Sequence, residues 1–351
     1  RITYFDPSVD NDGEPAWSPD GRRLAFVRVP QARGLLPFMP RRSGEPWSIL
    51  VAEAESGETN VVWTADEGWG SVPREVVAEN QLFWGAGDRL IFPWEKDGWT
   101  HLYSLSAEGG PAVLLTPGEF EVEHVTLSPD GSELLYSSNQ DDIDRRHVWR
   151  VAVDGGTPRA VTSGRGNEWA PVFTSDGEAI GILASDAQHP AHAGIVVGSD
   201  RPRALTESPF PDGYPTQHLV EPSQVVFAAA DGMSIHGQLF LPASMREGAR
   251  YPAVLFFHGG SRRQMLLGFH YSSYYHNAYS LNQYLASRGY IVLSVNYRSG
   301  IGYGMEFREA LDYGARGASE FNDVLGAGLY LRGRLDVDPD RIGLWGISQA
   351  G

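Results

Sequence analysis

A turn and a short strand recur in phase through roughly the first 215 residues, and internal repeats of this kind fix the architecture before any other feature. Trp17-Ser18-Pro19-Asp20-Gly21 returns as Leu127-Ser128-Pro129-Asp130-Gly131 and as Phe173-Thr174-Ser175-Asp176-Gly177, with a weaker copy at Trp84-Gly85-Ala86-Gly87-Asp88. Proline presets φ in such a turn, and Asp-Gly tolerates the chain reversal. Each copy leads into a β-rich run: Leu24-Ala25-Phe26-Val27, Leu90-Ile91-Phe92, Leu134-Leu135-Tyr136 and Ile180-Gly181-Ile182-Leu183. A second landmark closes each unit at Val62-Trp63-Thr64, Leu114-Leu115-Thr116, Ala160-Val161-Thr162 and Ala204-Leu205-Thr206. Between the landmarks lie further strands, His101–Leu105 and Val148–Val153 among them, the latter turning at Asp154-Gly155-Gly156.

Several strands per unit of about 40–50 residues is the pattern of a β-propeller blade. About four blades are expected. Four could in principle close a ring, but Arg1-Ile2-Thr3 matches the closing landmark, so the chain is expected to begin on the last strand of a blade and the propeller to be incomplete. An open β-sandwich would leave the phasing of two landmarks unexplained. The first unit carries two insertions, near residues 31–46 and 66–80, where functional loops of a regular scaffold are often found.

The periodicity changes after the Pro/Gly-rich stretch Pro209-Phe210-Pro211-Asp212-Gly213. Two strands, Gln224–Phe227 and His236–Leu241, flank the turn Ala230-Asp231-Gly232. Continuous apolar strands then alternate with amphipathic helices: strand Ala253–Phe257, helix Tyr279–Ser287, strand Tyr290–Val295, helix Ala318–Leu331 and strand Ile342–Trp345. That alternation indicates a parallel α/β sheet. The expected organisation is an all-β propeller over residues 1–213 followed by an α/β unit over 214–351, the N-terminal part of an α/β-hydrolase fold.

The last strand runs into Gly346-Ile347-Ser348-Gln349-Ala350-Gly351. A strand followed by Gly-x-Ser-x-small is a nucleophile elbow, where the turn is so tight that the residues two before and two after the serine must be small. Ser348 is then the candidate nucleophile, able to attack a carbonyl and form an acyl-enzyme. The tetrahedral oxyanion needs two aimed donors. The Gln349 backbone N–H is one candidate. The other lies in His258-Gly259-Gly260, directly after the strand ending at Phe257, where Gly259 or His258 would give its amide and His258 is read as a residue of the oxyanion loop. In this order of elements the acid and the histidine follow the serine. All ten histidines precede Ser348, so neither partner is expected within these 351 residues.

Composition excludes other classes. With 28 basic against 44 acidic residues the formal charge is −16, which opposes nucleic acid and anionic membrane as partners. No apolar stretch approaches the roughly 18–20 residues of a membrane span. There is no cysteine, so disulfides and thiolate metal sites are absent, but this names no compartment. Cytoplasmic, periplasmic and secreted locations all stay open, because the start at Arg1 shows no signal pattern and reads as a cut. No metal-spaced cluster, phosphate loop or dinucleotide fingerprint is present, so neither cofactor nor metal is implied. Self-association into a homo-oligomer is left open.

Nearly the whole chain resembles the prolyl-oligopeptidase family of serine peptidases. Besides the elbow, the likeness rests on Phe257-His258-Gly259-Gly260, on the loop from Asn296 to Gly304 (Asn-Tyr-Arg-Ser-Gly-Ile-Gly-Tyr-Gly), and on Asp338-Pro339-Asp340-Arg341-Ile342-Gly343. Asp97-Gly98-Trp99-Thr100-His101-Leu102-Tyr103 is similar to propeller segments of the dipeptidyl-peptidase branch. Two small-for-small departures stand out: Ala350 where the family elbow has glycine, and Arg298-Ser299-Gly300 where the family has Arg-Gly-Ser. The branch that releases dipeptides holds the substrate amine with adjacent glutamates, and no Glu-Glu pair occurs in these 351 residues. The resemblance implies a serine peptidase acting on oligopeptides, with the propeller limiting access. An esterase or acyl-peptide hydrolase would use the same machinery. A non-catalytic propeller interaction module would follow if the natural chain ended at Gly351.

Overall fold

Neighbouring residues on the second strand of the first three repeats bury themselves in different cores. In the computed structural model Leu90 and Phe92 pack toward the preceding repeat, whereas Ile91 packs toward the following one. Leu134 and Tyr136 likewise face back, and Leu135 faces forward. Because side chains alternate across a strand, a sheet buried on both faces must be apolar at consecutive positions. The runs Leu90-Ile91-Phe92 and Leu134-Leu135-Tyr136 are that signature.

The structure describes residues 10–31, 40–198, 201–206, 209–314 and 317–348. Arg1-Ile2-Thr3, the middle of the first insertion and Gln349-Ala350-Gly351 lie outside the described residues. Four antiparallel four-stranded sheets follow in order. The first comprises β1 Asn11–Trp17, β2 Arg23–Val29, β3 Ser48–Glu53 and β4 Thr59–Thr64. The second comprises β5 Phe83–Gly85, β6 Arg89–Trp94, β7 His101–Ser106 and β8 Val113–Leu114. The third comprises β9 Val122–Leu127, β10 Glu133–Ser138, β11 His147–Ala152 and β12 Arg159–Ala160. The fourth comprises β13 Asn167–Phe173, β14 Ala179–Ser185, β15 His192–Val197 and β16 Arg203–Ala204. These are blades of an incomplete β-propeller, and the second sequence landmark is the outermost strand of each.

The Ser-Pro-Asp-Gly turns join the first two strands of a blade. Ser18 Oγ donates to Asp20 Oδ1 at 2.7 Å and accepts the Arg23 N–H at 2.9 Å. Ser128 with Asp130 and Thr174 with Asp176 repeat the hydroxyl–carboxylate bond at 2.6 Å. The hydroxyl hydrogen bond holds all three carboxyls below the usual range, Asp130 at about 2. The innermost strands share a feature with no sequence signal. β1, β9 and β13 each carry a register shift, and a non-glycine residue at positive φ sits in each bulge: Glu14 (55°), His124 (48°) and Ala170 (50°). At the first, the bulge carries the Glu14 carboxylate to the Gln81 N–H of the next blade, at 2.8 Å.

The remaining strands are β17 Ser223–Ala228, β18 Ser234–Phe240, β19 Tyr251–Phe257, β20 Ile291–Asn296 and β21 Val337–Gly346, with helices α1 Ser273–Ser287, α2 Met305–Arg308 and α3 Phe321–Arg332. They form one sheet in the order β17-β18-β20-β19-β21, with β19 parallel to both β20 and β21. This is part of an α/β-hydrolase sheet. Helix α1 begins six residues before the expected Tyr279. Its first turns are rich in tyrosine, histidine and asparagine, which weakens the local helical signal, yet Tyr275, Ala278 and Tyr279 bury one face. Helix α3 begins three residues later than expected, because Glu320 accepts the Ala318 and Gly314 N–H groups and closes a turn there. Strand β21 reaches back to Val337 through a bulge that takes in Asp338-Pro339-Asp340.

The loop after β19 is clamped between the blades and this sheet. Buried Gln264 accepts from Arg146 Nη2 at 2.7 Å and donates to the Ile143 carbonyl at 2.7 Å. Arg146 in turn donates to Glu123 at 2.9 Å, and holds that carboxyl down to about 2 against the burial that would raise it. Buried Asp144 accepts from His236, at 3.0 Å, and from Gln224 and Tyr303. Glu121 accepts the Gly302 and Gly304 N–H groups at 3.0 and 3.1 Å. Removing one partner of such a buried charge leaves the other uncompensated, which is far costlier than losing a surface pair.

His270 reports on this loop. Its Nε2 lies 3.1 Å from the Gln264 carbonyl, and its Nδ1 accepts the Ser272 N–H at 2.9 Å. One nitrogen donates and the other accepts, as only the neutral ring can. Burial pushes its pKa down to about 3 from an ordinary 6.5. A depressed histidine pKa contributes stability that is fully present above pH 6.5 and lost as pH falls toward the folded value. The stability difference between the wild type and His270→Gln should therefore be largest above pH 6.5. It should shrink between pH 6.5 and 4.5 by up to about 1.4 kcal/mol per pH unit, read by urea unfolding across that range. A pH-independent difference would contradict the assignment.

Candidate active site

The parallel pairing of β19 with β21 sets Phe257 opposite Gly346, so the two strands end level with each other. The chain leaves β21 through Ile347 and turns at Ser348, which is exposed and has φ +55°. L-residues other than Asn and Asp rarely enter the left-handed region, and strain of this kind concentrates at functional sites. The strained turn places Ser348 at the carboxyl edge of the sheet, where open α/β sheets bind ligands.

Gly259 lies directly beside this turn. A Cβ built on it would stand 2.6 Å from the Ile347 carbonyl oxygen and 3.1 Å from Ser348 Cβ. Only a residue without a side chain allows the loop after β19 to approach so closely. The next residue, Gly260, has φ +49°. The structure thus brings Ser348 and Gly259 together, while Gln349 lies outside the described residues.

His258 is fully buried, its ring stacked on Tyr297 at a centroid distance of 4.5 Å. Burial pushes its pKa down to about 4, with Arg263 adding to the depression. Such a ring is neutral at pH 7 and packed against the loop, not poised as a proton acceptor near neutrality. Its carbonyl accepts the Tyr297 hydroxyl at 2.7 Å, and the Gly259 carbonyl accepts the Tyr275 hydroxyl at 3.0 Å. Tyr297 belongs to the Asn296–Gly304 loop singled out in the sequence, but nothing local foretold its bond to His258. Tyr275, on α1, gave no sequence signal.

The same loop is braced on its other side. Arg298 pairs with buried Asp323 at 2.7 Å and with Asp231 at 2.7 Å. Ser299, where the family has glycine, stands at φ +69°, so the departure places a side chain in a conformation glycine adopts freely. Gly302 packs against the Gln264 amide, which a Cβ would meet at 2.0 Å. Arg262 links the loop after β19 to the end of α2 through Glu309 at 2.8 Å. Among the described residues no group of three or more His, Asp or Glu is placed to hold a metal ion, and no helix is long and apolar enough to cross a membrane.

A strained serine turn at the carboxyl edge of an α/β-hydrolase sheet, joined to β-propeller blades, defines a class of architecture. Residues 30–190 match the dipeptidyl peptidase IV (DPP IV) N-terminal region, and residues 276–351 match the prolyl oligopeptidase family. The C-terminal part of the chain is thus similar to the prolyl oligopeptidase family, and the blades before it to the N-terminal region of dipeptidyl peptidase IV. It is 32% identical over 183 residues to the uncharacterized peptidase YuxL of Bacillus subtilis, an alignment covering 48% of this chain and 26% of that protein. It is 27% identical to a probable dipeptidyl peptidase 4 of Emericella nidulans, over 100% of this chain and 45% of the relative. The chain thus spans less than half the length of these curated relatives. A solved puromycin-hydrolyzing peptidase of Mycobacterium tuberculosis superposes with a TM-score of 0.74 at 21% identity, covering 97% of this chain and 50% of that one, which shows the shared fold.

The contact between Gly259 and the elbow is backbone against backbone, so no side chain can rotate to relieve it. Gly259→Ala should destabilise the protein by about 1–3 kcal/mol, the scale of overpacking. Gly343→Ala, whose added methyl meets nothing within 4 Å, should cost much less. Denaturant unfolding of the two variants checks this, and equal costs would refute the close approach.

Proposed function

We propose that the protein carrying this sequence is a serine peptidase that cleaves oligopeptides through an acyl-enzyme on Ser348. The observation that supports this most directly is the strained, exposed Ser348 turn with the Gly259 backbone packed against it. In this reading Ser348 Oγ attacks the scissile carbonyl carbon, and the carbonyl oxygen becomes an oxyanion. The Gly259 amide, together with that of Gln349, donates to it. Donors fixed in advance stabilise the developing charge without reorganising at the moment of reaction. Collapse of the tetrahedral intermediate breaks the C–N bond, the amine leaves protonated, and water then hydrolyses the ester on Ser348. His258 belongs to the oxyanion loop as a neutral packing residue. The base and acid that relay the proton are not assigned to any residue of this chain.

We assign residues 1–213 to the propeller and 214–351 to the hydrolase part. The last propeller strand ends at Ala204 and β17 begins at Ser223, in accord with that division. The loop after β19, which approaches Ser348 at Gly259, and the loop after β20 next to it are gripped by propeller residues Glu121, Asp144 and Arg146. The blades therefore sit over the carboxyl edge of the sheet, which favours limited access to the site and small or flexible peptides as substrates. The names of the relatives, peptidases and dipeptidyl peptidases, agree with a peptide substrate.

Ser348→Ala should lower kcat on a peptidyl chromogenic substrate by roughly 10⁶-fold, judging by loss of the nucleophile in subtilisin, while the fold is kept. A fluorophosphonate probe should label Ser348 and no other serine, as read by peptide mass spectrometry. Labelling elsewhere, or full turnover by the alanine variant, would overturn the proposal.

A further inference from the structure

We propose that Tyr297 and Tyr275 are positioning residues that clamp the loop after β19 and aim its amide at the substrate's carbonyl oxygen. The inference rests on the peptidase reading above and extends it to residues that never touch the reacting atoms. Two successive carbonyls of the loop are each fixed by a tyrosine hydroxyl. Tyr297 Oη donates to the His258 oxygen at 2.7 Å, and Tyr275 Oη donates to the Gly259 oxygen at 3.0 Å. A trans peptide unit is planar, and its C=O and N–H point in opposite directions. The His258 carbonyl shares its plane with the Gly259 N–H. Tying that carbonyl to Tyr297 therefore turns the Gly259 N–H to the other side of the loop. Among the described residues this N–H has no acceptor, although backbone donors in a buried loop are ordinarily paired. The Tyr275 bond fixes the following plane and with it the left-handed turn at Gly260.

The clamp is rigid because both phenols are themselves held. His258 fills the space between them, stacked on the Tyr297 ring and edge-on to the Tyr275 ring at 6.4 Å. The Arg263 guanidinium covers Tyr275 at 4.5 Å. The residue after Tyr297 is Arg298, which is locked to Asp323 and Asp231. Burial raises the Tyr297 pKa, so its hydroxyl stays a donor throughout the neutral range. A donor on the carbonyl oxygen also polarises the peptide unit, which strengthens the N–H at its other end. The buried imidazole of His258, which accepts no proton near neutrality, thus serves as the spacer that sets the two phenols at the right separation.

The test uses Tyr297→Phe and Tyr275→Phe in the protein that carries this sequence. Each removes one hydroxyl and keeps the ring. Turnover of a peptidyl p-nitroanilide should fall about tenfold in kcat, less than the 10²–10³ cost of losing an oxyanion donor outright, with KM within about twofold of wild type. Affinity for a peptidyl boronate, whose tetrahedral adduct places an oxygen where the oxyanion forms, should fall by the same factor as kcat/KM. Titration with a fluorophosphonate should show an undiminished active fraction, which separates misaimed amides from partial unfolding. Wild-type kcat in both variants would overturn the clamp, as would a fall in kcat with boronate affinity unchanged. If Tyr297→Phe does not accumulate as folded protein, Tyr275→Phe is judged by the same criteria. Ser348→Ala separates the two levels. Retained turnover there defeats the peptidase reading itself, whereas an essential Ser348 with fully active phenylalanine variants defeats the clamp alone.

Discussion

Everything at the candidate site follows from the register of three parallel strands. Phe257 pairs with Gly346 on one side and with Val295 on the other, so β19, β20 and β21 reach their carboxyl ends together. Parallel strands all deliver their following loops to the same edge of a sheet. The loop after β21 brings Ser348, the loop after β19 brings Gly259, and the loop after β20 brings Tyr297. A shift of two residues in the β19–β21 pairing would separate the glycine from the serine by about 6–7 Å, at 3.3 Å per residue. No side chain could restore that contact, because the approach of Gly259 to Ile347 is between backbones.

The propeller blades are coupled to this edge by buried charge. Glu95 with Arg308, Glu123 with Arg146, and Asp144 with His236 all lie in or against the junction. Buried ion pairs gain little over apolar packing, but they are unforgiving of misalignment, since a displaced partner strands a desolvated charge. Each carboxylate lies on the propeller side, and Glu121 and Asp144 hold the loops that follow β20 and β19. The blades therefore do more than cover the sheet. They fix the positions of the Gln264 and Gly302 segments from which the site is built.

Much of the architecture was legible in the sequence because it is written in local periodicity. Two-faced apolar runs such as Leu134-Leu135-Tyr136 mark strands packed on both sides, and Ser-Pro-Asp-Gly marks the turn between them. The serine turn after β21 could be proposed for a similar reason: the elbow motif needs its small residues within five positions of chain. What stayed hidden depends on contacts between distant residues. The bulges at Glu14, His124 and Ala170 place ordinary residues at positive φ, with no glycine to announce them. The start of α1 was obscured by aromatic and amide residues whose inward face exists only because Phe240 and Phe269 are there to meet it. Tyr275 and Tyr297 show their purpose only once α1 and β20 are folded onto β19. His258 is the instructive intermediate. Its place directly after β19 could be read from its neighbours, but its neutrality could not, because that follows from complete burial.

The central claim is that Ser348 reacts covalently while the Gly259 amide receives the resulting oxyanion. The most direct measurement is a crystal structure of the protein carrying this sequence after reaction with a peptidyl aldehyde. The account requires a covalent bond from Ser348 Oγ to the aldehyde carbon, with the hemiacetal oxygen about 2.7–3.1 Å from the Gly259 nitrogen and the Tyr297–His258 hydrogen bond intact. An unmodified Ser348, or an adduct oxygen turned away from the Gly259 amide, would contradict it.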